Sequence, residues 1–252
     1  MFGFLRRWRL QRALARLQID DGAWSTAEAA LPFLARLTAD ERSRLRDLAR
    51  RFIVDKEWSG AGGLRLEPAM QLLIALQACL PVLNLGLDWY AGWVGIVVYP
   101  GDFVIPRSVM DEAGVLHEYD DEVLGEAWEG GPVVLSWFDD PAEAGGVNTV
   151  IHELAHKLDM TNGAVDGLPR LHADMSRRDW LAAFESAYAD FCRQVDEADR
   201  RGRDTELDPY GSESPAEFFA VMSEAFFQTP RLLRRHYPAV YDQLRQFYRQ
   251  QP

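Results

Sequence analysis

Apolar residues recur along this chain in distinct rhythms, and each rhythm predicts a different kind of element. From Ala27 to Val54 the set Leu31, Phe33, Leu34, Leu37, Leu45, Leu48 and Phe52 falls at helical spacing. The run divides near Thr38-Ala39-Asp40-Glu41, where Thr38 and Glu41 make the T-x-x-E box that opens a helix, so two helices are expected. Residues 68 to 87 carry no charge, but Gln71, Gln77, Pro81 and Asn84 interrupt them and Asp88 follows. A bilayer span needs about 20 predominantly apolar residues. The pattern instead predicts a buried helix over roughly 68 to 80, ended by Pro81.

Between Trp89 and Phe138 the rhythm shortens. Val94–Tyr99, Phe103–Ile105 and Gly131–Trp137 are rich in β-branched and aromatic residues and are punctuated by Gly, Pro and Asp, which predicts a small sheet. Val133 to Trp137 comes just before the next helix, where a strand can line a cleft and pair with an extended peptide or simply fill the core. Helical spacing returns at Val150, Ile151, Leu154, Ala155 and Leu158, with Asn148 as the expected N-cap after Gly145-Gly146. Met160 to Pro169 is expected to be a loop. Leu171 to Val195 reads as a long helix with Trp180, Leu181, Phe184, Tyr188 and Phe191 on one side, followed by a charged break from Asp196 to Asp208. A further helix is expected from Ser214 to Phe227, with four phenylalanines.

Composition narrows the function. Apolar residues make up 48% of the 252, enough for a substantial core, and the net charge is −12, which argues against a nucleic-acid-binding protein. Cys79 and Cys192 have no CxxC partners, and two thiols in a chain without a signal-peptide pattern suggest a reduced, cytoplasmic protein. Charge is unevenly spread. Residues 1 to 51 hold eleven arginines against six acids, either a solvated helix face or a docking surface for an acidic partner. From Ser108 to Glu153 there is no Lys or Arg, while Asp111, Glu112, Glu118, Asp120, Asp121, Glu122, Glu126, Glu129, Asp139, Asp140 and Glu143 accumulate. Such a segment serves as a solubilising surface or as an acidic rim that attracts a peptide's amino terminus.

The chemistry sits in Ile151-His152-Glu153-Leu154-Ala155-His156-Lys157-Leu158-Asp159, which contains H-E-x-x-H. On a helix, residues four apart share a face, so His152 and His156 can aim two imidazoles at one metal ion. Zn²⁺ suits such ligands and lowers the pKa of its bound water to about 7, and Glu153 is placed to take that water's proton. A third ligand is required. Position 162, where a metzincin has histidine, is Asn162. Asp159, Asp166 and Glu217 remain candidates. Asp159 can ligate directly or accept an imidazole N–H from outside the metal shell. Glu217 stands in Ser214-Pro215-Ala216-Glu217, a capping box, so cap and ligand are both open at this point.

H-E-L-A-H-K-L-D, followed about fifty residues later by D-P-Y-G-S-E-S-P-A-E-F-F-A-V-M-S-E-A-F-F, resembles the zinc metallopeptidases of the Mlc titration factor A family. The resemblance covers most of the chain. It implies a gluzincin-like fold related to the catalytic domain of anthrax lethal factor: α+β, mostly helical, with a small mixed sheet beside the H-E-x-x-H helix. It implies a single zinc-peptidase domain over 1–252 with an arginine-rich helical part over about 1–55. His152, His156 and Glu217 are the implied ligands of one zinc ion per chain, Glu153 the implied general base and Tyr210, in D-P-Y, the implied stabiliser of the transition state. Many gluzincins place Asp four residues after the ligand glutamate; here that position is Val221, and Glu224, seven residues on, is the alternative orienting acid. The implied activity is peptide hydrolysis, as an aminopeptidase, with a transcriptional repressor controlling sugar uptake as a further partner; the net charge and the interrupted apolar stretch speak against direct contact with nucleic acid or membrane. The alternative is a protein that sequesters a regulator, its zinc mainly structural.

Overall fold

A computed structural model describes residues 2–101, 103–110, 116–123, 125–138 and 147–252, with side chains described outside 2–7, 9, 103–110 and 116–123. The fold is α+β and mostly helical. Helix α1 (Phe2–Arg16) leads to α2 (Asp21–Ala29), capped by Asp20, whose Oδ1 accepts from the Ala23 N–H at 2.7 Å. The expected helical run from Ala27 contains the end of α2, a 3-10 turn at Pro32–Arg36 and α3 (Ala39–Asp55). Pro32 is the cause, since it cannot donate into a continuing helix. The Thr38–Glu41 capping box is formed, each partner bonding the other's main chain.

Strand β1 (Glu57–Gly60) precedes α4 (Pro68–Cys79), which ends where Pro81 predicts and is buried from Leu72 onward except at Leu73 and Gln77. Then come β2 (Gly95–Pro100), the hairpin β3 (Phe103–Met110) and β4 (Leu116–Val123), the short β5 (Gly125–Ala127) and β6 (Val133–Trp137). The four-stranded sheet has the order β1-β2-β6-β5, parallel through β1, β2 and β6, with β5 antiparallel at the edge. β6 is therefore flanked on both sides, and the edge beside the next helix belongs to β5 rather than to Val133–Trp137. Gly125 pairs with Leu135 and Ala127 with Val133.

Helix α5 (Thr149–Asp159) lies between the sheet and α7 (Pro215–Gln228), with a 3-10 turn at Met160–Asn162 inside the expected loop. In sequence between α5 and α7 comes α6 (Arg177–Arg201), which starts six residues later than the apolar pattern suggests and continues six beyond it. Ser176 caps its start, and Gly202, at φ +59°, ends it. Its charged last turns are carried by surface pairs such as Arg200–Glu197 at 3.7 Å. Helices α8 (Pro230–His236) and α9 (Pro238–Tyr248) close the chain.

The core gathers Ile96, Val98, Val133 and Leu135 from the sheet, Ile151, Leu154, Ala155 and Leu158 from α5, and Phe218, Phe219, Phe226 and Phe227 from α7. Burying each phenylalanine contributes about 1.5–3 kcal/mol, so α7 is held mainly by its aromatic faces. Part of the arginine-rich start is spent internally. Arg42 and Arg46 pair with Glu28 at 3.3 and 2.6 Å, Arg50 donates to the carbonyls of Leu14 and Leu17, and Arg36 donates to the carbonyl of Phe227. Among the described residues, no helix is long and apolar enough to cross a membrane.

Candidate metal centre

The amino end of α5 is set by Asn148, whose Oδ1 accepts from the Ile151 N–H at 3.0 Å. His152 and His156 then project from one face, and their Nε2 atoms lie 3.1 Å apart. Glu217 meets them from α7: its Oε2 stands 2.9 Å from His152 Nε2 and 3.2 Å from His156 Nε2. Ligands of a tetrahedral zinc ion at its usual bond lengths stand about 3.3 Å apart, so two imidazole nitrogens and a carboxylate at these separations fit such an ion.

At Glu217 only the Ser214 half of the capping box forms, and the Glu217 carboxylate turns to the histidines. Its N–H donates to Ser214 Oγ at 3.1 Å, while its carboxylate reaches the histidines. Asp159 and Asp166 lie elsewhere. Asp159 is 0% exposed, and its Oδ2 accepts from the Gly167 N–H at 2.8 Å, not from an imidazole. Asp166 Oδ1 accepts from the Leu168 N–H at 3.1 Å. Gly167, at φ +78°, can sit there only without a side chain, because a Cβ would run into the Pro215 carbonyl at the start of α7.

Glu224 is the acid that reaches a histidine from behind. Its Oε1 accepts from His152 Nδ1–H at 2.7 Å and its Oε2 from the Asn148 N–H at 2.7 Å. One carboxylate thereby orients an imidazole and closes the first turn of α5. His156 Nδ1 has no hydrogen-bond partner among the described residues.

Glu153 is buried on the neighbouring face of α5, against β5. The approach is so close that a Cβ on Gly125 would lie 2.5 Å from Glu153 Oε1 and 2.7 Å from its Cγ. Glycine inside a strand often marks such an approach. That signal was available in Gly125-Glu126-Ala127, but three residues carry too little pattern to declare a strand. Tyr210 lies on a 3-10 turn, Pro209–Ser212, with its ring centre 5.9 Å from that of His152 and half of its surface exposed.

Electrostatics follow burial and charge. Burial pushes the Glu153 carboxyl up to about 7, against the pull of His152 and His156. Burial also opposes charge on Glu217, but hydrogen bonds from the two histidines win and bring it down to about 2. For His152 burial again opposes the charge, and hydrogen bonds to Glu217 and Glu224 overcome it, raising the pKa well above the ordinary value. Of the acid-rich segment, Glu126 and Glu129 are described; Asp111, Glu112, Asp139, Asp140 and Glu143, and the side chains of Glu118, Asp120, Asp121 and Glu122, lie outside the described residues.

Comparison with known proteins places this arrangement. The profile of the family described as glucose-regulated metallo-peptidase M90 matches residues 5–249. The protein called Mlc titration factor A in Salmonella arizonae is 38% identical over 249 residues, covering 97% of this chain and 96% of that one. Its namesakes in Salmonella schwarzengrund and Salmonella choleraesuis are 37% identical over 249 residues, covering 97% of this chain and 91% of theirs.

Proposed function

The chain belongs to the glucose-regulated metallo-peptidase M90 family, and from that premise we propose that it is a zinc-dependent peptidase, specifically an aminopeptidase, with one zinc ion per chain. The observation that carries this reading is the convergence of His152, His156 and Glu217, whose ligand atoms all lie within 4.8 Å of one another, with Glu153 buried one residue from His152. A purely structural site has no use for a base beside its ligands. Bound zinc supplies Lewis acidity and a water acidic enough to attack near neutral pH.

The chain's own residues supply the rest. Glu153 accepts the water's proton and hands it to the leaving amine, a task suited to a carboxyl whose pKa burial has moved toward neutrality. The Tyr210 hydroxyl donates to the developing oxyanion, a role its half-exposed position beside His152 permits. Glu224 holds the His152 ring in orientation. An extended peptide pairs with the outer edge of β5, the edge strand that passes Glu153.

We further propose that residues 1–252 form one peptidase domain that includes the arginine-rich part over about 1–55; the bond from Arg36 to Phe227 in α7 supports this. Cys79 and Cys192, both free, support a cytoplasmic setting. The relatives' name, Mlc titration factor A, favours a second role, in which this chain binds a transcriptional repressor. If zinc were mainly structural, that role would stand alone. The deciding experiment is hydrolysis of free-amino peptides by protein carrying one zinc per chain, stopped by chelation and restored by zinc. Full zinc loading with no cleavage across a broad peptide library would leave the repressor-binding role as the better account.

A further inference from the structure

Helix α5 turns a second pair of side chains toward the sheet. Glu153 and Lys157 are four residues apart and share a face, about 100° around the helix from His152 and His156. Lys157 is 3% exposed, a rare state for a lysine. Its Nζ donates to the main-chain carbonyls of Trp128 and Gly131, the latter at 2.9 Å, and stands 5.1 Å from the centre of the Trp93 ring. Both carbonyls belong to the turn that joins β5 to β6.

That turn is already tight. The Trp128 N–H donates to the Pro132 carbonyl at 3.2 Å, the Gly131 N–H donates to the Trp128 carbonyl at 3.0 Å, and Gly130 takes φ +62°. At the other end of β5, Gly125 is pressed against Glu153. One face of α5 therefore grips the edge strand at both ends, by steric contact at Gly125 and by an ammonium at the turn. An apolar side chain would fill the Lys157 position without desolvating a charge. The cost of burying that charge is accounted for if the ammonium orients the strand.

We propose that Lys157 is a positioning residue: its ammonium fixes the turn 128–131, and with it edge strand β5, so that an extended peptide pairs at a set distance from Glu153. The effect on substrate rests on the peptidase reading above; the effect on the strand rests on these contacts alone.

The test uses the full-length, zinc-loaded protein as wild type, Lys157→Met and Lys157→Gln. Zinc content, amide hydrogen exchange and steady-state kinetics on a free-amino peptide of about six residues are measured. In Lys157→Met, zinc stays at one per chain and exchange across residues 125–131 accelerates roughly tenfold or more, the scale set by losing charge-assisted hydrogen bonds, while exchange in α7 is unchanged. KM for the peptide rises about tenfold with kcat within about threefold, as expected when binding common to ground and transition states is lost. Lys157→Gln, which keeps an N–H donor, falls between. Unchanged exchange at 125–131, an equal acceleration throughout the protein, or a fall in kcat at constant KM overturns the proposal. If the wild type cleaves no peptide, the peptidase reading fails, and the exchange measurement still decides whether Lys157 holds the strand.

Discussion

The two working faces of α5 are held by different means. Toward α7, the neighbours are a wall of buried aromatic side chains and two carboxylates, Glu217 and Glu224, that meet the histidines directly. Toward the sheet, the neighbours are main chain: Gly125 against Glu153, and the carbonyls of Trp128 and Gly131 on Lys157. The first face brings two imidazole nitrogens and a carboxylate within 2.9–3.2 Å of one another, as an ion demands. The second lies along β5, the last strand of the sheet among the described residues. Substitutions on the α7 face should therefore act through the metal, and substitutions on the sheet face should act on the base or on peptide binding while the metal stays.

The sharpest break of that division is Glu217→Ala or His152→Ala, expected to abolish stoichiometric zinc, read by metal analysis of purified protein, and all hydrolysis with it. On the other face, Glu153→Gln keeps the shape and removes the base; hydrolysis should fall by roughly 10²–10⁴-fold with zinc content and thermal midpoint close to wild type. Gly125→Ala should push the base from its place. Since a misplacement of about 1 Å can cost 10²-fold, kcat/KM should drop by up to about that factor, again at full zinc. If that variant instead loses metal, the two faces are not independent. Back on the α7 face, Glu224→Ala should weaken zinc by roughly 10–100-fold in a competition titration, because His152 loses its orienting partner. Asp159→Ala should change zinc affinity by less than about tenfold, because its carboxylate serves Gly167 instead of an imidazole. The reverse ranking of Glu224 and Asp159 would show that the contacts behind the histidines are misassigned.

The α7 face was far more legible in the sequence than the sheet face, for a physical reason. Two histidines at helical spacing, a capped amphipathic stretch and Ser214-Pro215 are local signals, and local signals place α5 and α7 to within a residue or two. The choice between Asp159 and Glu224 was not local. Both acids sit at helical spacing from something relevant, and only the packing of α7 against α5 decides that Glu224 faces His152. On the sheet side, β1 and β5 are four and three residues long, too short for alternation to show. From sequence Val133–Trp137 reads equally as a cleft-lining strand or a core strand; its β-branched residues mark a strand buried between neighbours better than one at an edge, and pairing on both sides makes it the core strand. Lys157 was hidden by its type, since a lysine on an amphipathic helix is read as solvated unless its fourth neighbour, Glu153, is known to be buried. The start and end of α6 were misjudged because the apolar pattern locates a buried face, whereas Ser176 and Gly202 locate the ends.

Glu224 has one further consequence. Its two oxygens join the back of a metal-facing imidazole to the first main-chain N–H of the α5 cap, so ion occupancy and the integrity of that helix start are thermodynamically linked. An ion at 1,000 times its dissociation constant adds about 4 kcal/mol to the folded state. Part of that gain should appear locally, as slower opening at Val147 and Asn148. A chelator would then act on this protein as a site-directed denaturant, loosening the entrance to α5 before it melts anything else.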